Sequence, residues 1–185
     1  MLGPRGSQGY YAHFYRKNQV FLNDFSSAIT ILEFLRVFLD EYELPWKEAW
    51  KNVYNACCCA FYSLDHESFE EWNLESFEAL LPRHCQLLKL INHFFLQQVK
   101  QALAKRHNKA ALDQKLSAMS MITPCGKYMR LANFCLVTCH RIIFCSEFQR
   151  NYLLNGVYAD FRDFLPPHTF ETIACGVNPR RFLYL

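Results

Sequence analysis

The sequence has little glycine, no long uncharged apolar run and none of the common catalytic motifs. Of its 6 glycines, half lie in the first nine positions, so a glycine-rich loop that holds a phosphate with backbone amides is excluded. The motifs Gly-x-Ser-x-Gly and His-Glu-x-x-His are also absent. The most apolar stretch, residues 25–39, contains Glu33 and Arg36. We therefore expect no membrane-spanning segment.

Neither the cysteines nor the charge points to an extracellular or nucleic-acid-binding protein. Nine cysteines could form a disulfide framework, but their number is odd and no secretory leader precedes them. A reduced, cytoplasmic protein is the expectation. Basic residues exceed acidic ones by only 20 to 17, an imbalance too small to predict a nucleic-acid partner.

The composition favours a folded core. Hydrophobic residues make up 51% of the chain and aromatic residues 16%, which excludes disorder. A chain of 185 residues can bury one sizeable core. We expect residues 19–185 to form a single helical domain and residues 1–18, which begin with a polar, glycine-rich stretch, to form a loose arm.

Apolar residues recur every three or four positions along most of the chain, which predicts helices. The predicted helices begin at Ser26, Pro45 and Pro82, and further helices cover residues 131–145 and 148–164. Residues 131–145 are apolar almost all round, which predicts a central, buried helix. Extended structure is expected only at Gln19–Leu22 and in the tail from Cys175. The predicted fold class is mostly α with one or two short strands.

The predicted helix from Pro82 has one apolar face and a basic remainder. Its cations are Arg83, Lys89, Lys100, Lys105, Arg106 and Lys109, whereas the preceding stretch, residues 63–78, has six acidic residues and no basic one. The basic face could bind an anion or a polysaccharide. Alternatively, its cations are solvated or face the acidic stretch.

Two cysteine groups are candidate metal ligands. On a helix, the adjacent Cys57, Cys58 and Cys59 would point about 100° apart and could not share a tetrahedral metal. We expect them to be buried thiols. Cys135, Cys139 and His140 would need a fourth ligand from elsewhere. No metal site is predicted, and the residues alone indicate a helical domain without an evident active site.

Four segments, in order, resemble the glycogen phosphorylase family, the α-1,4-glucan phosphorylases that use pyridoxal phosphate. They are Val20–Asp24 with the helix that follows, Leu44–Trp50, Leu80–Leu96 and Gly176–Leu183. The family motifs that they resemble include Leu-Asn-Asp-Thr-His-Pro, Leu-Leu-Pro-Arg-His and Asn-Gly-Ile-Thr-Pro-Arg-Arg-Trp-Leu. The resemblance covers about residues 19 to 185.

The resemblance implies an incomplete enzyme. The family's enzymes have two α/β lobes of the GT-B type that face each other across a catalytic cleft, and this chain resembles the later part of the N-terminal lobe. The lysine that carries pyridoxal phosphate lies in the other lobe and has no counterpart here. The resemblance therefore implies no cofactor in this chain and no self-contained catalysis.

The resemblance also implies which residues would contact a glucan. Matched positions are Asn23, Asp24, Gln86, Asn92, His140 and Gly176, and substituted positions are Ser26, Tyr62, Ile143 and Cys175. These substitutions remove amides and imidazoles that would bind sugar hydroxyls. On the Pro82 helix, Lys89 replaces a tyrosine of the family's surface oligosaccharide site.

Three functions stay open at this point. The chain could be a phosphorylase relative that does not convert α-1,4-glucan to glucose 1-phosphate alone. It could be a non-catalytic module that binds glycogen or another α-glucan, or that associates with a phosphorylase subunit or with the lobe it lacks. It could also be a decayed fragment without activity. Nucleic acid and membranes are not expected partners.

Overall fold

The computed structural model describes residues 13–64, 70–104 and 108–174. In chain order, its helices are α1 (Phe14–Lys17), α2 (Ile29–Arg36), α3 (Trp46–Ala56), α4 (Leu74–Leu80), α5 (Pro82–Leu103), α6 (Lys109–Met119), α7 (Leu131–Thr138), α8 (Glu147–Asn155) and α9 (Ala159–Phe164). Its strands are β1 (Val20–Leu22), β2 (Cys57–Phe61), β3 (Glu71–Asn73), β4 (Tyr128–Arg130), β5 (Arg141–Phe144) and β6 (Phe170–Thr172). Short 3₁₀ turns, Ser26–Ala28 and Pro167–Thr169, precede α2 and β6, and a π turn, Val37–Glu41, follows α2.

Four strands form a parallel sheet in the order β1-β2-β5-β6, with β2 inside it. All five residues of β2 are buried. Val20 of β1 pairs with Cys57 of β2, and Phe61 of β2 pairs with Phe144 of β5. These pairs define the register of β1, β2 and β5. Strands β3 and β4 form a separate antiparallel pair. The sheet brings the carboxyl ends of β1, β2, β5 and β6 to one side of the molecule.

The mostly helical fold class is confirmed, but the expectation of one or two short strands is wrong, because the described residues contain six. Residues 131–145 are not one helix. Helix α7 ends at Thr138, Cys139 takes an extended conformation, and Arg141–Phe144 continue as β5. The β-branched pair Ile142 and Ile143 favours a strand there. A buried parallel strand is apolar throughout, so its pattern resembles that of a buried helix.

The cysteine triplet lies in β2 and not on a helix. The prediction that these thiols are buried is confirmed, since Cys57 and Cys59 are fully buried and Cys58 is 9% exposed. Burial raises the pKa of Cys57 to about 12, so this thiol stays neutral at physiological pH. Among the described residues, no three His, Cys, Asp or Glu side chains are placed to hold a metal ion.

The helices predicted from Ser26, Pro45 and Pro82 are confirmed. Helix α5 is the longest of the described helices, with Pro82 in its first turn, where a missing N–H costs nothing. Its apolar face packs in the core through Leu87, Leu88, Ile91, Phe95 and Val99. The stretch 148–164 is helical but divided into α8 and α9 by a break at Gly156, where a Cβ would lie 3.0 Å from the carbonyl oxygen of Tyr152.

The predicted arm and tail extend beyond the described residues. Residues 1–12 and the extended tail 175–185 lie outside them. Within the described part of the arm, α1 forms one helical turn, and the Phe14 ring lies 5.6 Å from that of Phe34 and 5.4 Å from that of Phe38. No helix of the described residues has the length and apolar character needed to cross a membrane.

Asn133 supports the connection between α6 and α7, and its loss should destabilise the fold. Its buried side-chain amide donates to the carbonyl oxygens of Ala118 at 2.9 Å and Ser120 at 2.8 Å. Asn133→Ala leaves two acceptors without this donor, so we expect the free energy of unfolding in urea to fall by about 2–3 kcal/mol. Asn55→Ala is the matched control, because within the described residues this amide donates only to the Lys51 carbonyl oxygen, at the surface of its own helix. Equal losses for both variants would contradict this role.

Candidate functional site

Asn23 and Tyr62 meet at the carboxyl edge of the parallel sheet. Asn23 follows β1 and Tyr62 follows β2, and ends of neighbouring parallel strands lie side by side in the position where α/β proteins bind ligands. The Tyr62 hydroxyl donates to Oδ1 of Asn23 at 2.8 Å. The matched Asn23 is therefore bonded to the residue at a substituted position.

Asp24 closes the turn that leads into α2. Its Oδ1 accepts from the backbone N–H of Ser27 at 2.7 Å and from the hydroxyl of Ser26 at 3.0 Å. The hydroxyl of Ser27 in turn donates to the Asp24 carbonyl oxygen at 2.7 Å. These hydrogen bonds, led by that from the Ser27 backbone, lower the pKa of Asp24. The carboxylate of Asp24 and the substituted Ser26 thus stabilise the turn together.

Gln149, which is not among the candidate residues taken from the sequence, joins two strand ends at the same edge. The side chain is buried, its Oε1 accepts from the Cys145 backbone at 2.9 Å, and its Nε2 donates to the Ser63 carbonyl at 3.1 Å. The Ser146 hydroxyl accepts from the Gln149 backbone N–H at 3.1 Å. A Ser-x-x-Gln pattern before a helix is a capping signal, and it could have drawn attention to Gln149.

His140 and Ile143 do not join this edge. His140 precedes β5 and lies at the amino end of the sheet. The length of this four-residue strand, about 13 Å, separates it from the carboxyl edge. Its Nδ1 is 2.7 Å from the carbonyl oxygen of Cys57, and its ring packs edge-on against Tyr54. Ile143 lies within β5, between Ala60 and Glu171 of the neighbouring strands. The structure therefore separates these two positions from Asn23.

The basic face of α5 is partly neutralised by ion pairs. Lys89 contacts both carboxylate oxygens of Glu78 at 2.7 and 2.8 Å, so one cation of this helix faces the acidic stretch. Arg83 contacts both carboxylate oxygens of Asp40 at 2.6 and 2.8 Å, and it also donates to Oε1 of Gln86 at 3.3 Å. Gln86 is exposed and stays accessible to a ligand on its outer side.

Asn92 has a structural partner. Its Oδ1 accepts from the backbone N–H of Met121 at 2.9 Å and from the hydroxyl of Ser120 at 3.3 Å, so it holds the segment after α6. Gly176 and Cys175 lie outside the described residues. Of the described candidate contacts, the structure brings together Asn23, Asp24, Ser26 and Tyr62 and leaves the others elsewhere.

The lowered pKa of Asp24 makes part of the stability depend on pH. The folded protein favours the ionised carboxylate. Asp24 therefore contributes to stability above its unfolded pKa, near 3.8, and this contribution is lost as the pH falls through the lower pKa of the folded state. We expect Asp24→Ala to cost about 0.5–1 kcal/mol at pH 7, with a gap from the wild-type protein that narrows below pH 4. Urea unfolding from pH 7 to pH 3 measures this gap.

Asp113→Ala serves as the control for this pH series. Asp113 is exposed on α6 and has no partner for its carboxylate in the described part of the chain, so its replacement should change stability little at any pH. An Asp24→Ala gap that stays constant down to pH 3 would contradict the assigned role of the carboxylate.

Comparison with known proteins gives a consistent assignment. A family model for carbohydrate phosphorylases matches residues 5–185. The liver form of glycogen phosphorylase from Ovis aries is 31% identical over 165 residues, which cover 89% of this chain and 19% of that protein. Glycogen phosphorylase from Saccharomyces cerevisiae is 30% identical over 162 residues, which cover 88% of this chain and 18% of that protein. The chain thus spans about a fifth of the length of these curated relatives. Because the family match extends over nearly its whole length, this chain belongs to the carbohydrate phosphorylase family.

Proposed function

We propose that this chain is a non-catalytic member of its family, which by itself does not convert α-1,4-glucan and phosphate to glucose 1-phosphate. The observation that carries the proposal is the hydrogen bond from Tyr62 to Asn23 at the carboxyl edge of the sheet. When the side chains at this edge hydrogen-bond to each other, fewer of their polar groups are available to bind sugar hydroxyls. A site that reads hydroxyls depends on those groups for both binding and discrimination.

Asp24 supports the same conclusion. The Asp24 carboxylate accepts two local hydrogen bonds, from the Ser26 hydroxyl and the Ser27 backbone N–H, and the Asp24 carbonyl oxygen accepts a third from the Ser27 hydroxyl. The residue is thus committed to the backbone turn. Turning it toward a glucan would break the turn that begins α2. Ser26 and Tyr62 thus replace ligand-binding groups with groups that stabilise the protein itself.

The described residues do not fit pyridoxal phosphate. This cofactor needs a lysine that can form a Schiff base, and such lysines are usually set in a buried pocket that lowers their pKa. Among the described lysines, only Lys115 is partly buried, and its ammonium forms an ion pair with Asp160. No step of a reaction is therefore assigned to this cofactor in the described part of the chain.

The parallel sheet with its helices supports a place in one α/β lobe of a GT-B type fold. The thiols support a reduced, cytoplasmic setting, because all described cysteines are free. Residues 19–185 are proposed to act as one domain. These assignments match a protein of α-glucan metabolism that contributes structure or binding and not chemistry.

Association with a phosphorylase chain is a second candidate function, favoured by the open edges of the sheet. Within the described residues, β1 and β6 each pair on one side only. Phe21 of β1 is 51% exposed, and Ile173 after β6 is 55% exposed. Apolar residues on open strand edges favour the addition of a further strand from a partner. Co-sedimentation with a full-length glycogen phosphorylase tests this candidate.

The purified chain should release no glucose 1-phosphate from glycogen and inorganic phosphate, even with added pyridoxal phosphate. A coupled assay for glucose 1-phosphate measures this, with a full-length glycogen phosphorylase as the positive control. Clear turnover by the 185-residue chain would overturn the proposal. The same sample should unfold in one cooperative transition. A broad, non-cooperative transition would instead favour a decayed fragment.

A further inference from the structure

An apolar groove of about 530 Å³ lies between α3 and α5. Trp46, Trp50 and Tyr54 line it from α3, and Phe94, which is 44% exposed, lines it from α5. Among the described residues that line the groove, none is Asp, Glu, Lys or Arg. The groove thus leaves apolar surface in contact with solvent, and such surface in a globular protein marks a site of interaction.

The α3 side of the groove is one continuous apolar wall. Trp46, Trp50 and Tyr54 stack on one another along the helix, with ring centroids 6.1 Å apart in both pairs. From Trp46 to Tyr54 the wall runs about 12 Å, at 1.5 Å of rise per residue. Apolar residues at positions i, i+3, i+4 and i+7 of a second helix cover about the same length.

Lysines border the groove on both helices. On α3, Lys47 and Lys51 each precede a ring of the wall by three positions, and on α5, Lys100 follows the lining residue Gln97 by three. Residues three apart are neighbours on the surface of a helix. All three lysines are exposed, and within the described residues none forms an ion pair with a carboxylate, although Lys51 lies 5.8 Å from the centroid of the Tyr15 ring. Both flanks of the groove therefore carry positive charge.

Acidic residues are absent from the groove side of both helices. Helix α5 contains no Asp or Glu. The one acid of α3, Glu48, is two positions from each tryptophan, which at about 100° per residue places it on the opposite side of the helix. Asp163, next to the lining residue Phe164 of α9, forms an ion pair with Arg162 at 2.8 Å. The charge beside the groove is thus complementary to an acidic partner.

Shape, polarity and charge together select one kind of partner. The backbone groups of α3 and α5 bond within their own helices, so an extended peptide would find no strand edge to pair with in the groove. A helix satisfies its own backbone groups and presents an apolar stripe between polar flanks. The flat surface of a membrane would not reach the lining of a concave groove. A convex helix with acidic flanks fits all three properties.

We propose that the groove binds an amphipathic helix of a partner protein, with its apolar stripe against Trp46, Trp50 and Phe94 and its acidic residues beside the three flanking lysines. This surface is distinct from the open edges of the sheet, which are strands β1 and β6. The inference goes beyond the proposed function, because it gives the chemistry of a partner and does not depend on the lack of catalysis.

Fluorescence anisotropy of a labelled synthetic peptide tests the groove. The peptide has about 15 residues, enough to form a helix, with leucines at positions i, i+3, i+4 and i+7 and glutamates on both flanks. We expect saturable binding to the 185-residue chain that weakens as the salt concentration rises. A peptide with the same leucines but lysines in place of the glutamates should bind at least about tenfold more weakly, because like charges then meet.

Charge reversal on both flanks separates the groove from the net charge of the chain. The double variant Lys47→Glu and Lys100→Glu should weaken binding of the acidic peptide at least tenfold, which corresponds to about 1.4 kcal/mol. The matched control is Lys109→Glu with Lys127→Glu. It changes the net charge equally at two exposed lysines that do not line the groove, so it should leave the affinity unchanged.

Phe94→Ala tests the apolar part of the groove and should also weaken binding of the acidic peptide. Phe148→Ala is its control, because Phe148 is an exposed ring that stacks on Tyr152 at 6.2 Å on another helix, and its loss should leave the affinity unchanged. A melting curve like that of the parent protein shows that each variant folds. If Phe94→Ala does not fold, the lysine variant at exposed positions still decides the test.

The proposal is overturned by an anisotropy that the chain does not change, by equal affinities for the acidic and the basic peptide, or by a lysine double variant that binds like the parent protein. It is also overturned if the chain sediments with vesicles of phosphatidylcholine and phosphatidylserine and does not bind the peptide, which would make this a lipid-binding surface. All these outcomes are independent of the release of glucose 1-phosphate, which tests the proposed lack of catalysis.

Discussion

The complete burial of strand β2 is the constraint on which the rest of the structure depends. Its five residues, Cys57–Phe61, are enclosed while parallel strands pair on both of its edges. Parallel sheets need cover on both faces, and the small Cys and Ala side chains leave room for that cover. The neighbouring Cys59 thiol and burial raise the pKa of Cys135 in α7. Both cysteines are fully buried and serve as small packing groups.

The sheet also determines which side chains meet at its carboxyl edge. Parallel strands necessarily bring Asn23 and Tyr62 together, and in this chain the two side chains bond to each other. Gln149 ties the end of β2 to the end of β5 through Ser63 and Cys145. The edge is thus stabilised by its own side chains.

The helices could be predicted from the sequence, and the inner strands could not. Periodic apolar residues and a proline in the first turn are sufficient to locate α5, because a helix forms from residues that are close together in the sequence. Strands β2 and β5 are short, β2 is apolar throughout and β5 is apolar after Arg141. Only their pairing over long distances makes them strands. Cys57–Cys59 therefore fitted a helix pattern as well as a strand, and residues 141–144 looked like a continuation of α7.

The resemblance selected candidate site residues but not their arrangement. The resemblance identified Asn23 and His140, but it did not reveal that they lie at opposite ends of the sheet. Partners such as Gln149 and Ser63 are 86 positions apart, a separation that no local pattern reports.

Hydrogen exchange followed by mass spectrometry tests the central role of β2 most directly. If β2 is the enclosed centre of the sheet, peptides that cover residues 57–61 and 141–144 should exchange slowest, through global unfolding alone. Peptides that cover the separate pair β3 and β4 should exchange earlier, because that pair has only two strands. Exchange in residues 57–61 as fast as in Glu71–Asn73 would contradict the assignment of β2 as the strand on which the fold depends.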